Sequence, residues 1–307
     1  MRHDTAGDPI TGVKWSRRTT RKIAAELTAL GIAVSKNTVG RLLKEMDFKL
    51  RVNRKQIAST KNPERNQQFL YIAGQRERFG NQCLPIISVD TKKKEPIGNF
   101  KNAGAKWDRQ PVRVKDHDFR SEAEGIAIPY GIYDTQANRG AVFVGTCHDT
   151  PAFAVDAISQ WWLKEGCQRY PTARELFILA DGGGSNGPRC RAWRKALQDA
   201  LCTPHGLTVT VSHYPPGASK WNPIEHRLFS QISKNWAGEP LTDIDKILNF
   251  IRTTKTESGL TVSAYLIPEK YDTGIKISDP EMRQLNLVPH DMLGRWNYTV
   301  RPTQNVN

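Results

Sequence analysis

Between residues 15 and 55 the apolar positions recur at helical spacing. Ile23, Leu27 and Leu30 fall at i, i+4 and i+7 behind Thr19 or Thr20, either of which can cap a helix, and Gly31 ends the run. Ser35 can cap a second pattern, in which Val39, Leu42, Leu43 and Met46 share a face and leave Lys36, Asn37, Thr38, Arg41 and Lys44 toward solvent. Two short helices about a glycine-bounded turn predict a small all-α helix-turn-helix domain over residues 1–60. A third helical stretch, within 61–80, carries Phe69, Ile72 and Phe79 on one side and reads as a linker helix.

Beyond residue 80 the period shortens. LPIISVD (84–90) and ELFILAD (175–181) are apolar runs of the buried-strand type, and GIAIPYGIYDT (125–135) and AVFVGTCHD (141–149) read as strands able to pair antiparallel. TPAFAVDAISQWWLKEG and PRCRAWRKALQDAL read as helices, LTVTVSHY (207–214) as a strand, and WNPIEHRLFSQISKNW as a helix. Strands lead and then alternate with helices, which predicts an α/β layered domain over 81–254. Residues 91–124, polar and rich in Lys and Arg, read as a basic irregular excursion from it. Residues 255–307 read as a weakly patterned extension, with the terminal TQNVN expected to lack order.

Charge sharpens the picture. The chain carries a net +14, and residues 1–60 alone hold 13 basic and 5 acidic residues, a net +8. Such an excess favours a polyanionic partner, and its concentration on the helical pair favours DNA over a merely solvated helical hairpin. In that reading Lys36 and Lys44 hold phosphates, while Asn37, Thr38 and Arg41 are the base-reading candidates. The five scattered cysteines show neither C-x-x-C nor zinc-like spacing and read as reduced thiols. No apolar run approaches the ~20 residues of a membrane span, and no signal-peptide core follows Met1, so no membrane partner is expected and cytoplasm is the default compartment.

Candidate chemistry lies at the ends of the apolar strands. Asp90 and Asp181 each close one, and ligands of α/β sheets gather at strand carboxyl ends. If the two strands are neighbours, a third acid on a helix would complete a cluster of hard oxygen ligands, and Glu225 is the candidate. Three such carboxylates suit a pair of divalent ions about 3.5–4 Å apart that activate the attacking oxygen and stabilise the leaving oxygen of a phosphodiester. Each acid also has a plainer reading. Asp90 and Asp181 are ordinary strand-ending turn residues, and Asn222, Pro223 and Glu225 form a capping-box-like start to a helix. Asp134 and Asp149 are spare carboxylates for the cluster.

SVDTKKKE (88–95), ADGGGSNG (180–187) and HYPPGASKWNPIEHRLF (213–229) together resemble the DDE transposases of bacterial insertion sequences. The likeness is to the Rhodopirellula-type transposase family, and the last motif is similar to the NPIE signature of Tc1/mariner-like enzymes. NFKNAG (99–104), IPYGIYD (128–134), HDTPAFAVDAI (148–158) and GRWNYTV (294–300) extend it over most of the chain. The resemblance implies an RNase H-like catalytic domain with a mixed sheet, and carries the three acids of the family onto Asp90, Asp181 and Glu225. It implies two Mg²⁺ ions, with Mn²⁺ able to substitute, and cleavage at transposon ends followed by attack of the freed 3′-hydroxyl on target DNA. It further implies self-association in a DNA complex and a nucleoid-associated place in a bacterial cytoplasm. The chain opens abruptly at MRHDTAGDPITG, ahead of which family members carry more sequence, so a shortened reading frame is expected.

Gly182, Gly184 and Gly187 satisfy G-x-G-x-x-G, but the next strand ends TVSHYPP without the acid that a dinucleotide site needs, so no nucleotide cofactor is expected. Gly182 and Gly183 read instead as backbone passing close to DNA phosphate beside Asp181, with Asn222 and His226 as further support. Lys92, Lys93 and Lys94 could hold phosphates or form a solvated loop. His213 reads as structural, and Trp161 and Trp162 as core. Besides the transposase, two readings stay open: a non-catalytic DNA-binding remnant or regulator, and, least favoured, an oxidoreductase using the glycine turn.

Overall fold

The computed structural model describes residues 19–48, 64–218 and 221–303, with the backbone alone of 5–7 and 14–16. The basic flanks at Arg17, Arg18, Lys49, Arg51, Arg54 and Lys55, and the last four residues, lie outside the described residues. The chain divides into two compact units, Met1–Ala58 and Ser59–Asn307.

In the first unit two short strands, β1 (Thr5–Gly7) and β2 (Lys14–Ser16), pair antiparallel. Helix α1 (Thr20–Ala29) is capped by Thr19, whose side chain accepts from Lys22 N, and α2 (Lys36–Glu45) by Ser35, which accepts from Thr38 N. Each cap satisfies an otherwise orphaned amide. Gly31, at φ +84°, turns the chain between them, with Ile32 N bonded to Leu27 O at 2.8 Å. Ile23, Ala24 and Val39 form the core with Leu27, Val34 and Leu43 against it. Leu30 and Met46, expected inside, are 76% and 66% exposed, because both sit at the helix C-caps, past the last turn that faces the partner helix.

The second unit opens with α3 (Arg65–Asn81). Its apolar side packs on the sheet: Ile72 and Phe79 lie against Ile86, Phe177 and Leu179. Then follow β3 (Ile86–Thr91), β4 (Glu95–Ile97), β5 (Gly125–Asp134) and β6 (Arg139–Gly145). Helix α4 starts at Pro151 behind the Thr150 cap and runs through a π turn at Trp162–Gly166. Next come β7 (Glu175–Ala180), α5 (from Arg191, through a π turn, to His205) and β8 (Thr208–His213). Helix α6 covers 223–235, with Glu225–Phe229 in π conformation, and precedes α7 (Ile244–Arg252). The C-terminal part supplies β9 (Thr261–Ile267), a helical turn α8 (Asp279–Arg283), β10 (Leu287–Pro289) and β11 (Asn297–Val300).

These strands form one mixed sheet in the order β10-β11-β8-β7-β3-β5-β6-β9, with β4 paired to β5. β3, β7 and β8 run parallel, while β5 lies antiparallel between β3 and β6. The central order β6-β5-β3-β7-β8 is that of an RNase H-like fold, an α/β mixed sheet preceded in the chain by the helix pair α1–α2. One face carries α4 and α5, whose Phe153, Ile158, Trp161, Trp193 and Leu197 pack on Ile87, Val89 and Ile178. The other carries α3, α6 and α7, with Ile224, Leu228 and Phe229 on Tyr133, Val142 and Val144.

Two expectations change. Residues 261–300, read as a weakly patterned extension, close both edges of the sheet: β9 runs parallel to β6, and β11 lies antiparallel to β8. The excursion 91–124 begins with the paired strand β4 and is irregular after it, but docked. Phe100 is buried, and the amides of Gly98 and Gly238 bond to Leu241 O and Ala103 O, stitching it to the chain after α6. Trp161 and Trp162 are core, and all five cysteines are free thiols. Among the described residues no helix is long and apolar enough to cross a membrane.

Candidate active site

Strand register brings the first two acids together. Val89 of β3 pairs with Ala180 of the parallel β7, so Asp90 and Asp181 emerge side by side at the carboxyl ends of adjacent strands. Side chains alternate along β3: Ile87 and Val89 enter the core under α4, whereas Ser88 and Asp90 face α6. Ser88 Oγ donates a short hydrogen bond to Asn222 Oδ1 and accepts from Ile224 N at 3.3 Å, which pins the start of α6 onto β3 two residues before Asp90. Glu225 follows directly, close enough to Asp90 for the two carboxyls to influence each other's charge.

Close approach of α6 depends on glycine. Gly131 stands opposite Asp90 on β5, and a Cβ there would come within 2.7 Å of Phe229 Cζ and 2.9 Å of Ile224 Cδ1. Without side chains at Gly131, and at Gly140 beneath Leu228, the helix rests on bare backbone and Glu225 reaches the strand end. Neither Ser88 nor Gly131 stands out in the sequence.

Among the described residues the cluster is short of positive charge. Burial first, and then Asp181, Glu225 and Asp149, together push the Asp90 carboxyl up to about 8, against one opposing bond from Thr91 N at 2.8 Å. Burial likewise raises Asp181, whose Oδ1 accepts from Gly183 N at 3.0 Å. Glu225 is raised by burial and then by Asp181, with His226 and Lys92 opposing. Carboxylates this near repel one another, a cost relieved by a proton on one of them or by a cation between them. Among the described residues no three His, Cys, Asp or Glu side chains stand as a ready-made cage for one ion. Asp90, Asp181 and Glu225 offer hard carboxylate oxygens, a donor set whose chemistry would suit divalent cations.

Other candidates separate by geometry. Asp149 borders the cluster, accepting from Thr91 Oγ1 at 3.1 Å, whereas Asp134 is buried at the far end of β5 and bound by Arg169 and Tyr170. Lys92 is no free phosphate ligand: it is 8% exposed, bonded to Glu95 Oε1 at 2.9 Å, with its ammonium 4.5 Å over the Trp236 ring. Lys93 and Lys94 are exposed, Lys94 lying 3.8 Å from Asp149. Asn222 does not cap α6 with its side chain, since Oδ1 is taken by Ser88; Glu225 N bonds to the Asn222 backbone carbonyl instead.

Of the glycines after Asp181 only Gly184 has a left-handed φ, +67°, and a Cβ at Gly182 or Gly183 would find ordinary contacts, so these two are not sterically required. They line a cavity of 430 Å³ with Arg189, Tyr214 and Trp296. A cleft of 570 Å³ on the Glu225 side is lined by Lys92, Lys93, His226 and Phe229. A larger cavity, 920 Å³, lies near the opposite strand ends, around Glu175 and Thr208. His213 is fully buried, which lowers its pKa to about 4 and removes it from contact with a phosphate. On α2, Lys36, Asn37, Arg41 and Lys44 are exposed, while Arg41 pairs with Glu45 at 2.7 Å and the Thr38 hydroxyl is held by Ser35.

Among solved structures the chain is similar to the Mos1 transposase paired-end complex with left transposon end, at 18% identity and TM-score 0.45, covering 76% of this chain and 65% of that one. It is also similar to a pre-cleavage Mos1 transpososome, at 15% identity and TM-score 0.44, covering 76% and 66%. The chain thus spans just under two thirds of these proteins. No curated protein matches it. The model of the Rhodopirellula transposase DDE domain matches residues 1–302 of the 307, and the chain belongs to that transposase family.

Proposed function

We propose that the protein is a DDE transposase that cuts DNA at the ends of its element and joins them to target DNA, with Asp90, Asp181 and Glu225 as catalytic carboxylates. The observation that carries this reading is the meeting of three acids from β3, β7 and α6, with no base among the described residues entering the balance at Asp90. Their repulsion is a cost that folding alone does not explain. Divalent cations, Mg²⁺ or Mn²⁺, held by the three acids would supply activation of the attacking oxygen and stabilisation of the leaving one.

The chain's own residues do the rest. Ser88 and Asn222 fix the start of α6 so that Glu225 faces Asp90, and Gly183 N orients the Asp181 carboxylate. Lys93 and Lys94, exposed in the segment between β3 and β4, would meet phosphates arriving at the acids. In the first unit Lys36 and Lys44 would hold backbone phosphates while Asn37 and Arg41 read base edges, in an assembly that brings two DNA ends and a second copy of the chain together.

Strand cleavage tests this. The purified protein is incubated with DNA carrying the sequences that flank its gene on either side, with Mg²⁺, Mn²⁺ or chelator. Metal-dependent nicks at the element ends, lost in Asp181→Asn, are expected. DNA binding without any nicking under all conditions would favour the non-catalytic DNA-binding remnant instead.

A further inference from the structure

Behind Asp181 runs a chain of buried polar groups that the proposed chemistry does not use. Trp193 Nε1 bonds to Tyr298 Oη at 3.0 Å, Tyr298 Oη lies 3.3 Å from His213 Nε2, and His213 Nδ1 lies 3.0 Å from the Asp181 main-chain oxygen. All three side chains are wholly excluded from water. The partners fix the direction of every proton. An indole N–H can only donate, so Tyr298 accepts from Trp193 and gives its own proton to His213 Nε2; a carbonyl can only accept, so His213 carries its proton on Nδ1. The ring is thereby held in one neutral tautomer.

The His213 contact falls just past the end of the ladder: Tyr214 N bonds to Ala180 O at 2.9 Å, and the His213 ring reaches the carbonyl one residue on, that of Asp181. His213 is itself fixed on both sides: its amide bonds to Trp296 O at 3.0 Å and its carbonyl accepts from Gln68 Nε2 at 2.9 Å. Arg194, 4.7 Å over the Tyr298 ring, bonds to Pro188 O and Arg295 O, clamping the far end of the glycine turn.

We infer that Trp193, Tyr298 and His213 are positioning residues that hold the Asp181 peptide, and through it the Asp181 carboxylate, at the acidic cluster. The C-terminal GRWNYTV segment is then part of the active site's support. The importance of that geometry for cutting DNA rests on the proposed function; the relay itself does not.

Three measurements test it, two of them independent of cleavage. Long-range proton–nitrogen NMR of the unmodified protein, with labelled histidine, should find His213 neutral with its proton on Nδ1; a proton on Nε2 overturns the relay. Hydrogen exchange across residues 181–187 should rise about fivefold in His213→Leu, about twofold in Tyr298→Phe, where only the tautomer lock is lost, and stay near the unmodified rate in His213→Asn, which keeps a donor. Unchanged exchange in both His213→Leu and Tyr298→Phe overturns it. In cleavage, Tyr298→Phe should raise the Mg²⁺ concentration for half-maximal rate severalfold without changing affinity for DNA; an equal loss of DNA affinity would mark a general structural role. If the unmodified protein cuts no DNA while the tautomer and exchange results hold, the failure lies with the proposed function and not with the relay.

Discussion

At the scale of single residues, Asp90 concentrates the cost of the site. A carboxyl whose pKa is raised by folding from 3.8 to about 8 keeps its proton in the folded chain where the unfolded chain has lost it. Between about pH 4 and 8 the folded state therefore binds more protons, and stability falls as pH rises through that window. The metal-free protein should show a melting temperature that declines from pH 5 to pH 8, a slope that flattens in Asp90→Asn, with Mg²⁺ raising the melting temperature more at pH 8 than at pH 5. A slope unaffected by Asp90→Asn would mean that the acids are not in contact. Aspartate at the end of an apolar run was legible in the sequence because residue type and position both signal it. Ser88 was not, since its partner Asn222 lies 134 residues away. Lys92, Lys93 and Lys94 look alike as text; only packing against Trp236 and Glu95 sets Lys92 apart.

At the scale of elements, α6 is the part that decides whether Glu225 arrives. Its seat is the bare backbone at Gly131, where an added methyl overlaps the Phe229 ring and Ile224. Gly131→Ala should destabilise the protein by about 1–3 kcal/mol, as overpacking does, and reduce cleavage more than DNA binding. Gly125→Ala, on the same strand but with only Ile97 Cδ1 at 3.4 Å to meet, should leave both near the unmodified values. Chemical denaturation of the two variants checks the contrast. The strands at 86–91, 175–180 and 208–213 and the helix at 223–235 were readable from apolar runs, and their ends fall within two residues of the pattern. In the first unit the pattern overreached at Leu30 and Met46, because spacing alone does not show where a helix stops facing its partner.

At the scale of the whole molecule, the sheet is completed by the end of the chain. β10 and β11 are too short to announce themselves, whereas β9 alternates, with Val262 and Ala264 buried between Thr261, Ser263 and Tyr265; β9 and β11 pair with the edges that β6 and β8 offer, and β10 with β11. A chain ending at residue 254 loses these strands along with Tyr298 and Val300 of the core, and should give insoluble protein or no cooperative unfolding transition. In the first unit, exposed Lys36 and Lys44 predict salt-sensitive DNA binding. Replacing both with alanine should lower the slope of log affinity against log salt by about 2, checked by binding titrations at several ionic strengths.

The claim on which the rest depends is that acids 90, 181 and 225 hold divalent cations together. It is tested most directly by loading the protein with Fe²⁺ in place of Mg²⁺, generating hydroxyl radicals with ascorbate and peroxide, and mapping backbone scission by mass spectrometry. The account predicts cuts clustered at three places far apart in sequence, around Asp90, Asp181 and Glu225, suppressed by excess Mg²⁺ and absent in Asp90→Asn. Scission confined to other sites, or unchanged by Asp90→Asn, would contradict it.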